Sequence, residues 1–240
     1  MKVLGIDTSG YANAVGVVDG NRTLADYNFE ARTDSLEKIV ANIDFVLKEV
    51  GFTLKDIEGF AVGLGAGSWT GIRVGVTVAK MLAFSTGRPL AGLSTLELLA
   101  DNARDVALPI CPVVYAGTGD MVYAALYRDN DGVLVREGEY YVGDIQGLLS
   151  TVRETTVLLG SGVDRYRDLI KQTLGSLSGN AEDIEDIPSG ATAARLAAIR
   201  LEQGQFDDIM SLQPLYLKES TARAFVNKYH NKVSGKVKGE

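Results

Sequence analysis

Cysteine, histidine and long apolar runs are almost missing from this chain of 240 residues. The one cysteine, Cys111, cannot form an internal disulfide, and the one histidine, His230, leaves no histidine–cysteine cluster to hold a metal ion. No apolar run reaches the ~18 residues needed to cross a bilayer, and the first residues lack the charged and apolar regions of a signal peptide. We therefore expect a cytoplasmic protein with no metal site and no membrane contact.

Positive charge is also scarce. The chain has 24 lysines and arginines against 31 aspartates and glutamates, which gives a net charge of -7. Such a chain has no overall positive field that would attract nucleic acid. Any contact with RNA is therefore expected to be local or to be made through a partner.

The order of apolar patterns along the chain is typical of an α/β protein. Short apolar or alternating segments predict strands at residues 3–7, 12–18, 23–31 and 57–63. Apolar residues at helical spacing predict a helix over 35–50, and Asp34 with Glu37 resembles a capping box at its start. Further along, strands are expected at 110–115, 122–127 and 133–142, and helices at 162–174 and 191–203, with a solvated loop at 175–190.

A glycine-rich stretch, VGLGAGSWTGIRVG at residues 62–75, leads from the strand at 57–63 into a helix predicted over 71–86. Gly65, Gly67 and Gly71 permit positive φ angles and close approach to the backbone, and Ser68 and Thr70 are placed to cap the helix. Free amides at a helix start attract anions, but the spacing matches neither a P-loop nor the dinucleotide-binding pattern. Spacing alone leaves two interpretations open, an anion site and a tight turn.

The helix predicted over 71–86 is apolar on nearly every side, and its main polar residues fall on one narrow stripe. It is either a core helix between a sheet and a neighbouring helix, or part of it faces another protein chain together with the helix over 35–50. In the second case the expected interface residues are Leu36, Ile39, Ile43, Arg73, Thr77 and Lys80.

Five segments, taken in order, resemble the bacterial TsaB (YeaZ) family: VLGIDTS at 3–9, the glycine-rich stretch at 62–75, PLAGLSTLELLA at 89–100, MVYAALY at 121–127 and PLYLK at 214–218. The resemblance runs over most of the chain. It implies the α/β, two-lobed actin-like, sugar-kinase-like ATPase fold (ASKHA). The N-terminal lobe would span 1–102 and carry partner-facing helices, and the C-terminal lobe would span 103–217, with a late helix that could return to the first lobe.

The resemblance also implies a function in tRNA modification. Members of the family are the partner and scaffold, not the transferase, in forming N6-threonylcarbamoyladenosine beside the anticodon of tRNAs that read codons starting with A. The implied partners are a TsaD-type transferase, in a heterodimer, and a TsaE-type ATPase, with a homodimer when the chain is alone. The transferase carries a His-x-x-x-His metal motif, and the corresponding residues 94–98 (STLEL) contain neither histidine. We therefore expect no catalytic residue and no metal in this chain.

Nucleotide binding is left open by the same resemblance. Actin-like ATPases hold phosphates at the turn after the first strand, which corresponds here to residues 7–10, so ATP or ADP is the implied cofactor. The same residues could instead satisfy the backbone of a tight turn. A second turn departs from the family pattern at Ala116, Thr118 and Met121, and Asp34 stands where the family often has a histidine, so we expect binding to be weak or to require the assembled complex. The candidate phosphate-binding residues are Asp7, Thr8, Ser9, Gly65, Gly67, Ser68, Thr70 and Gly71.

The end of the chain, residues 218–240, has a positive local balance because it carries Lys218, Arg223, Lys228, Lys232, Lys236 and Lys238. This segment is expected to be a disordered tail, or else a basic arm that touches tRNA phosphates or an acidic partner surface. Two other functions remain as alternatives: an ATP-dependent small-molecule kinase or ATPase of the same fold, and a peptidase, for which the sequence supplies no nucleophile and base set.

Overall fold

The computed structural model of the protein describes residues 1–30, 37–179 and 184–217, which form two five-stranded sheets. The first sheet has the order β3-β2-β1-β4-β5, with β1 antiparallel to β2 and parallel to β4. The second has the order β10-β9-β6-β7-β8, with β6 antiparallel to β7 and parallel to β9. The strands are β1 (Lys2–Asp7), β2 (Ala12–Asp19), β3 (Arg22–Glu30), β4 (Gly59–Gly63), β5 (Leu90–Leu93), β6 (Ile110–Tyr115), β7 (Met121–Asn130), β8 (Val133–Asp144), β9 (Thr156–Leu159) and β10 (Ser178–Gly179).

Helices cover both faces of each sheet. They are α1 (Ile39–Glu49), α2 (Trp69–Thr86), α3 (Thr95–Asn102), α4 (Ile145–Leu149), α5 (Ser161–Arg165), α6 (Arg167–Leu174) and α7 (Gly190–Glu202). On the first sheet, Leu4 and Ile6 of β1 pack towards α1 and α2, whereas Val3 packs towards α7. This alternation is the period-two pattern of a strand buried on both faces. On the second sheet, α3 lies against one face, and α4 and α6 lie against the other.

Glycine and alanine let α7 lie unusually close to the first sheet. A Cβ atom added at Gly5 would lie 2.1 Å from the carbonyl oxygen of Gly190, and one added at Gly16 would lie 2.1 Å from the amide nitrogen of Ala191. The helix also buries the alanines at 193, 194 and 197 against the sheet. Small residues on both sides therefore set the distance between strand and helix.

After α7 the chain runs back along the first sheet and α2, over residues 205–217. The amide of Asp207 donates to the carbonyl of Leu90, and the Asp207 carboxylate accepts from the amide of Gly92, 2.7 Å away. Further on, the amide of Leu215 donates to the carbonyl of Leu64. This C-terminal segment therefore covers the edge of the first sheet at β5, where unpaired backbone groups would otherwise face solvent.

The elements from residue 3 to residue 86 lie close to where periodicity predicts them. The helix expected from residue 71 begins at Trp69, and Ser68 caps it. The helix expected over 162–174 is divided at Tyr166 into α5 and α6. The loop expected over 175–190 contains β10, and the sequence analysis did not predict α3, α4 or β9. Asp34, Leu36 and the basic tail at 218–240 lie outside the described residues.

None of the helices in the described ranges is both long enough and apolar enough to cross a membrane.

Candidate functional site

Asp7, at the end of β1, lies at the centre of a buried hydrogen-bond cluster. Its side chain is 0% exposed. The amide and the hydroxyl of Ser9 donate to one carboxylate oxygen at 2.8 and 2.6 Å, and the hydroxyl of Thr95 donates to the other at 2.7 Å. Burial raises the pKa of Asp7 above its ordinary value of 3.8, while the hydrogen bonds from Ser9 and Thr95 act in the opposite direction.

The glycine-rich stretch packs directly on this turn. The amide of Ser68 donates to the carbonyl of Ser9 at 2.7 Å, and the hydroxyl of Thr8 donates to the carbonyl of Gly71 at 2.7 Å. A Cβ atom at Gly67 would lie 2.3 Å from the Ser9 carbonyl oxygen, and one at Gly71 would lie 2.0 Å from the Thr8 carbonyl oxygen. These glycines are therefore required by the close approach of two backbone segments.

Only part of the predicted backbone geometry is found in this stretch. Gly65 and Gly67 have positive φ angles of 96° and 148°. Gly71 has helical backbone instead, so the lack of space beside Thr8 is what excludes a side chain there. The hydroxyl of Ser68 accepts from the Gly71 amide at 3.2 Å and caps α2, whereas Thr70 is an exposed residue within the first turn of the helix.

The sequence analysis missed Thr95, the first residue of α3. Its hydroxyl closes the cluster around Asp7, and its amide donates to the carbonyl of Gly65 at 2.8 Å. No local pattern could have indicated this role, because Thr95 is 88 positions from Asp7 in the sequence. The two residues come together only because β1, β4 and β5 are parallel neighbours, so that the segments following their carboxyl ends meet at the same end of the sheet.

Most of the predicted phosphate-binding residues lie in this one cluster, where they bind one another. Asp7, Thr8 and Ser9 are buried, and their side-chain oxygens are engaged with Gly71, Thr95 and each other. A nucleotide phosphate needs donors that face an open cleft, and the carboxylate that holds its metal ion needs solvent access. The side-chain oxygens at this turn are therefore engaged within the protein in this structure.

The helical face of the first sheet carries exposed apolar side chains. Val40 and Phe45 of α1 are 60% and 44% exposed, and Met81 and Phe84 of α2 are 60% and 67% exposed. A groove runs between α1, the segment 52–55 that follows it, and Leu82 of α2. Large apolar side chains exposed together are typical of a protein–protein contact surface. We call this surface the α1–α2 face.

The two described residues of α1 that were predicted to contact a partner do not lie on the α1–α2 face. Ile39 and Ile43 are 2% and 3% exposed, because they face the first sheet and belong to its core. They are therefore not available to a partner, and α1 turns Val40 and Phe45 outwards instead. Leu36 lies outside the described residues.

The polar stripe of α2 contacts the chain's own C-terminal segment. The guanidinium of Arg73 lies 4.2 Å from the Trp69 ring, and its Nε donates to the hydroxyl of Tyr216 at 3.3 Å. Lys80 donates to two carbonyls of the segment, those of residues 210 and 212, at 3.1 and 3.0 Å. Thr77 is exposed beside Met81 and Phe84. The stripe thus holds residues 205–217 in place, a role that the aperiodic sequence of that segment did not reveal.

No group of three or more histidine, cysteine, aspartate or glutamate side chains that could hold a metal ion is found among the residues that the structure describes. Cys111 is buried in the second sheet, and burial raises the pKa of its thiol to about 12. A thiol with such a pKa is almost entirely protonated at neutral pH, and the thiolate is the nucleophilic form. Cys111 therefore has the character of a core residue.

Solved structures with the same arrangement define the class of fold. YeaZ from Pseudomonas aeruginosa is 22% identical and aligns with a TM-score of 0.74, covering 90% of this chain and all of that one. ROK hexokinase from Thermus thermophilus is 14% identical and aligns with a TM-score of 0.50, covering 85% of this chain and all of that one. The protein has the actin-like, sugar-kinase-like ATPase fold.

Sequence comparison then identifies the family within that class. The family model described as TsaD, tRNA N6-adenosine threonylcarbamoyltransferase, matches residues 30–150. The tRNA threonylcarbamoyladenosine biosynthesis protein TsaB of Bacillus subtilis is 29% identical over 229 residues, which cover 93% of this chain and 97% of that protein. The chain belongs to the TsaB (YeaZ) family, which is related to the TsaD transferases.

Proposed function

We propose that this chain acts in the cytoplasm in forming N6-threonylcarbamoyladenosine beside the anticodon of tRNAs that read A-starting codons. The observation that carries the proposal is the similarity to the Bacillus subtilis TsaB protein, which extends over 93% of this chain and 97% of that one. An alignment of this extent leaves no large part of either protein outside the shared fold. A shared function is therefore supported better than it would be by a shared domain.

Within this pathway we assign the chain the role of a non-catalytic partner subunit. The segment that corresponds to the transferase's metal motif, STLEL at residues 94–98, has no histidine. Thr95 in that segment is buried and bound to Asp7. A side chain that is enclosed in this way cannot contact a substrate. The transfer of the threonylcarbamoyl group is therefore assigned to a TsaD-type partner.

The partner is proposed to bind at the α1–α2 face. The family model of the transferase matches residues 30–150 of this chain, and that range includes both helices. Related subunits that share a fold can pair through equivalent surfaces about a pseudo-twofold axis, in the way that identical subunits pair about a true one. Exposed apolar residues such as Met81 and Phe84 would then be buried against the equivalent helices of the transferase.

The remaining partners are a second copy of this chain, a TsaE-type ATPase and tRNA. Without the transferase, two copies of this chain would cover their α1–α2 faces by forming a homodimer. The TsaE-type ATPase and tRNA are assigned to the assembled complex, with ATP or ADP bound weakly or only there. The alternative, an ATP-dependent kinase, is less well supported because Asp7 is buried and fully hydrogen-bonded.

Co-purification with a tagged TsaD-type transferase tests the proposal. Phe84→Glu places a charge on the α1–α2 face and should abolish co-purification, because an unpaired carboxylate would be buried at the contact. Val133→Glu is the matched control, since Val133 is 63% exposed and lies in β8 of the second sheet. This variant should co-purify like the unaltered chain. Equal recovery of both variants would show that the transferase does not bind at this face.

A further inference from the structure

The exposed apolar surface of α2 continues onto the chain's own C-terminal segment. The side of α2 that carries Met81 and Phe84 lines a groove of about 390 Å³, and Ile209 and Met210, from the segment that follows α7, line the same groove. Met81 and Phe84 belong to the α1–α2 face, and the side chain of Met210 is 78% exposed. The apolar part of that face therefore extends beyond the two helices.

Hydrogen bonds fix the backbone of the turn at residues 208–212, which carries Met210. The carboxylate of Asp208 accepts from two backbone amides of the turn, those of Met210 and of the next residue, both at 2.8 Å. The amide of Leu212 donates to the carbonyl of Asp208 at 2.9 Å, and Lys80 of α2 donates to the carbonyls of Met210 and Leu212. The turn is therefore ordered by its own contacts and by α2.

The side chains of this turn divide between the core and the surface. Ile209 and Leu212 are partly buried and pack against the core of the first sheet, whereas Met210 between them is exposed. A methionine side chain is flexible and adapts to the shape of an apolar partner. Because the backbone is already ordered, a partner that covers Met210 pays no cost for ordering the turn. The turn therefore has the properties of a preformed contact element.

We propose that the 208–212 turn is a second contact element for the TsaD-type transferase, in which Met210 contacts the partner and Asp208 and Lys80 are positioning residues. The inference rests on the proposed function, which places the transferase on the α1–α2 face. A partner that covers Phe84, which is 67% exposed, also meets Met210, because the two side chains line one groove. The turn lies outside the range 30–150 that the transferase family model matches, so it adds a contact to those of the shared helices.

Charge argues against the chain's own basic tail as the occupant of this groove. Residues 218–240 carry six lysines and arginines. The charged residue that lines the groove is Lys80, and none of the described residues lining it is acidic. A basic segment would therefore meet a like charge and apolar side chains. An apolar surface of the transferase fits the groove better.

Isothermal titration calorimetry with the full chain and a TsaD-type transferase tests this contact. Met210→Glu should weaken binding by about tenfold or more, because the contact would bury an unpaired carboxylate. Met210→Leu keeps an apolar side chain of similar volume and should bind within about twofold of the unaltered chain. Phe206→Glu is the matched control and should leave the affinity unchanged, since Phe206 is 67% exposed on the same segment and is not among the described residues that line the groove. Thermal unfolding confirms that each variant is folded.

Asp208→Ala tests whether the Asp208 carboxylate acts through Met210. Without its two hydrogen bonds the turn must be ordered on binding, which should weaken the affinity for the transferase by about fivefold. In a Met210→Ser background the same change should have almost no effect, because no large apolar side chain is left to position. Equal effects of Asp208→Ala in the two backgrounds would overturn the positioning role.

The remaining outcomes separate this inference from the proposed function. Loss of binding in Phe84→Glu together with full affinity in Met210→Glu would overturn the contact at the turn and leave the proposed function standing. Full affinity in both variants would overturn the turn and the α1–α2 face together. If Met210→Glu bound the transferase normally but no longer self-associated in analytical ultracentrifugation, the turn would belong to a contact with a second copy of this chain, and the proposal would be wrong.

Discussion

Gly71 admits no side chain although its backbone is ordinary helix. The space that a Cβ atom would need is filled by the carbonyl oxygen of Thr8, which is main chain and cannot rotate away. The sequence indicated that glycines were needed in this stretch, but it could not distinguish a conformational requirement from a steric one. Gly65 and Gly67 have positive φ angles, and Gly71 illustrates the steric requirement.

Gly71→Ala should lower the free energy of unfolding by about 2 kcal/mol, because the first turn and α2 must move apart. Gly10→Ala is the control, since its backbone φ is not positive and the nearest atoms to its Cβ would be 3.9 Å away. That change should shift stability by less than about 0.5 kcal/mol. Urea unfolding followed by circular dichroism gives both values, and similar stabilities for the two variants would contradict the steric account.

Asp7 makes the stability of the protein depend on pH in an unusual direction. Because burial raises its pKa in the folded state, the protonated form is favoured there. Its contribution to stability is fully present below the ordinary pKa of 3.8 and is lost as the pH rises through the raised value.

Asp7→Asn should therefore stabilise the protein relative to the unaltered chain more at about pH 7 than at about pH 4. The amide keeps one acceptor for Ser9 and removes the buried charge. The exposed Asp44, which pairs with Lys48, provides the control variant Asp44→Asn, which should not show this trend. The measurement is urea unfolding of the three proteins at both pH values. A difference between Asp7→Asn and the unaltered chain that does not vary with pH would refute the prediction.

At the scale of elements, α2 makes contacts on three sides. One side packs on the first sheet, the polar stripe holds the C-terminal segment, and Met81 with Phe84 remains exposed. The apolar periodicity correctly predicted a helix here, but the expected cover is found on only part of its surface. It could not assign each side to its partner, because the segment at 205–217 has no periodic pattern and comes from the far end of the chain.

The same limit applies to α1. Helical spacing predicted that its apolar residues form a stripe, and Ile39, Ile43, Val46 and Leu47 do face the core. Val40 and Phe45 are also apolar but point outwards. Helical spacing places Phe45 on the opposite side of α1 from the core set, whereas Val40 lies at the edge of the stripe next to Leu47, where spacing alone does not decide exposure. The fold could therefore be predicted from periodicity and resemblance, whereas the composition of the exposed face required coordinates.

Lys80 is expected to be the main anchor of the C-terminal segment, since its ammonium group binds two of the segment's carbonyl groups. Lys80→Met should reduce the local stability of residues 205–217 by about 1 kcal/mol, because the two charge-assisted hydrogen bonds are lost at a partly exposed site. Hydrogen exchange at the amide of Leu215, which bonds to Leu64, reports on this directly.

Lys48→Met serves as the comparison, because Lys48 makes an exposed ion pair within α1 and no contact with the segment. Exposed pairs of this kind contribute little, so exchange at Leu215 should be unchanged in that variant. Faster exchange in both variants, or in neither, would mean that Lys80 does not anchor the segment.

At the scale of the whole molecule, the chain has the fold of an ATPase but uses the turn after β1 as an internal brace. Hydrogen bonds join Asp7 and Ser9, at the end of β1, to Thr95 at the start of α3, and the glycine-rich stretch locks α2 to the same point. A rigid arrangement of this kind suits a subunit that presents a fixed surface to a partner.

The central claim is that this chain, through its α1–α2 face, is needed for a TsaD-type transferase to modify tRNA. The most direct test is mass spectrometry of nucleosides from the tRNA of cells depleted of this chain and supplied with a plasmid copy. N6-threonylcarbamoyladenosine should fall on depletion and should be restored by the unaltered chain and by Val133→Glu, but not by Phe84→Glu. Normal levels of the nucleoside in depleted cells, or full restoration by Phe84→Glu, would contradict the account.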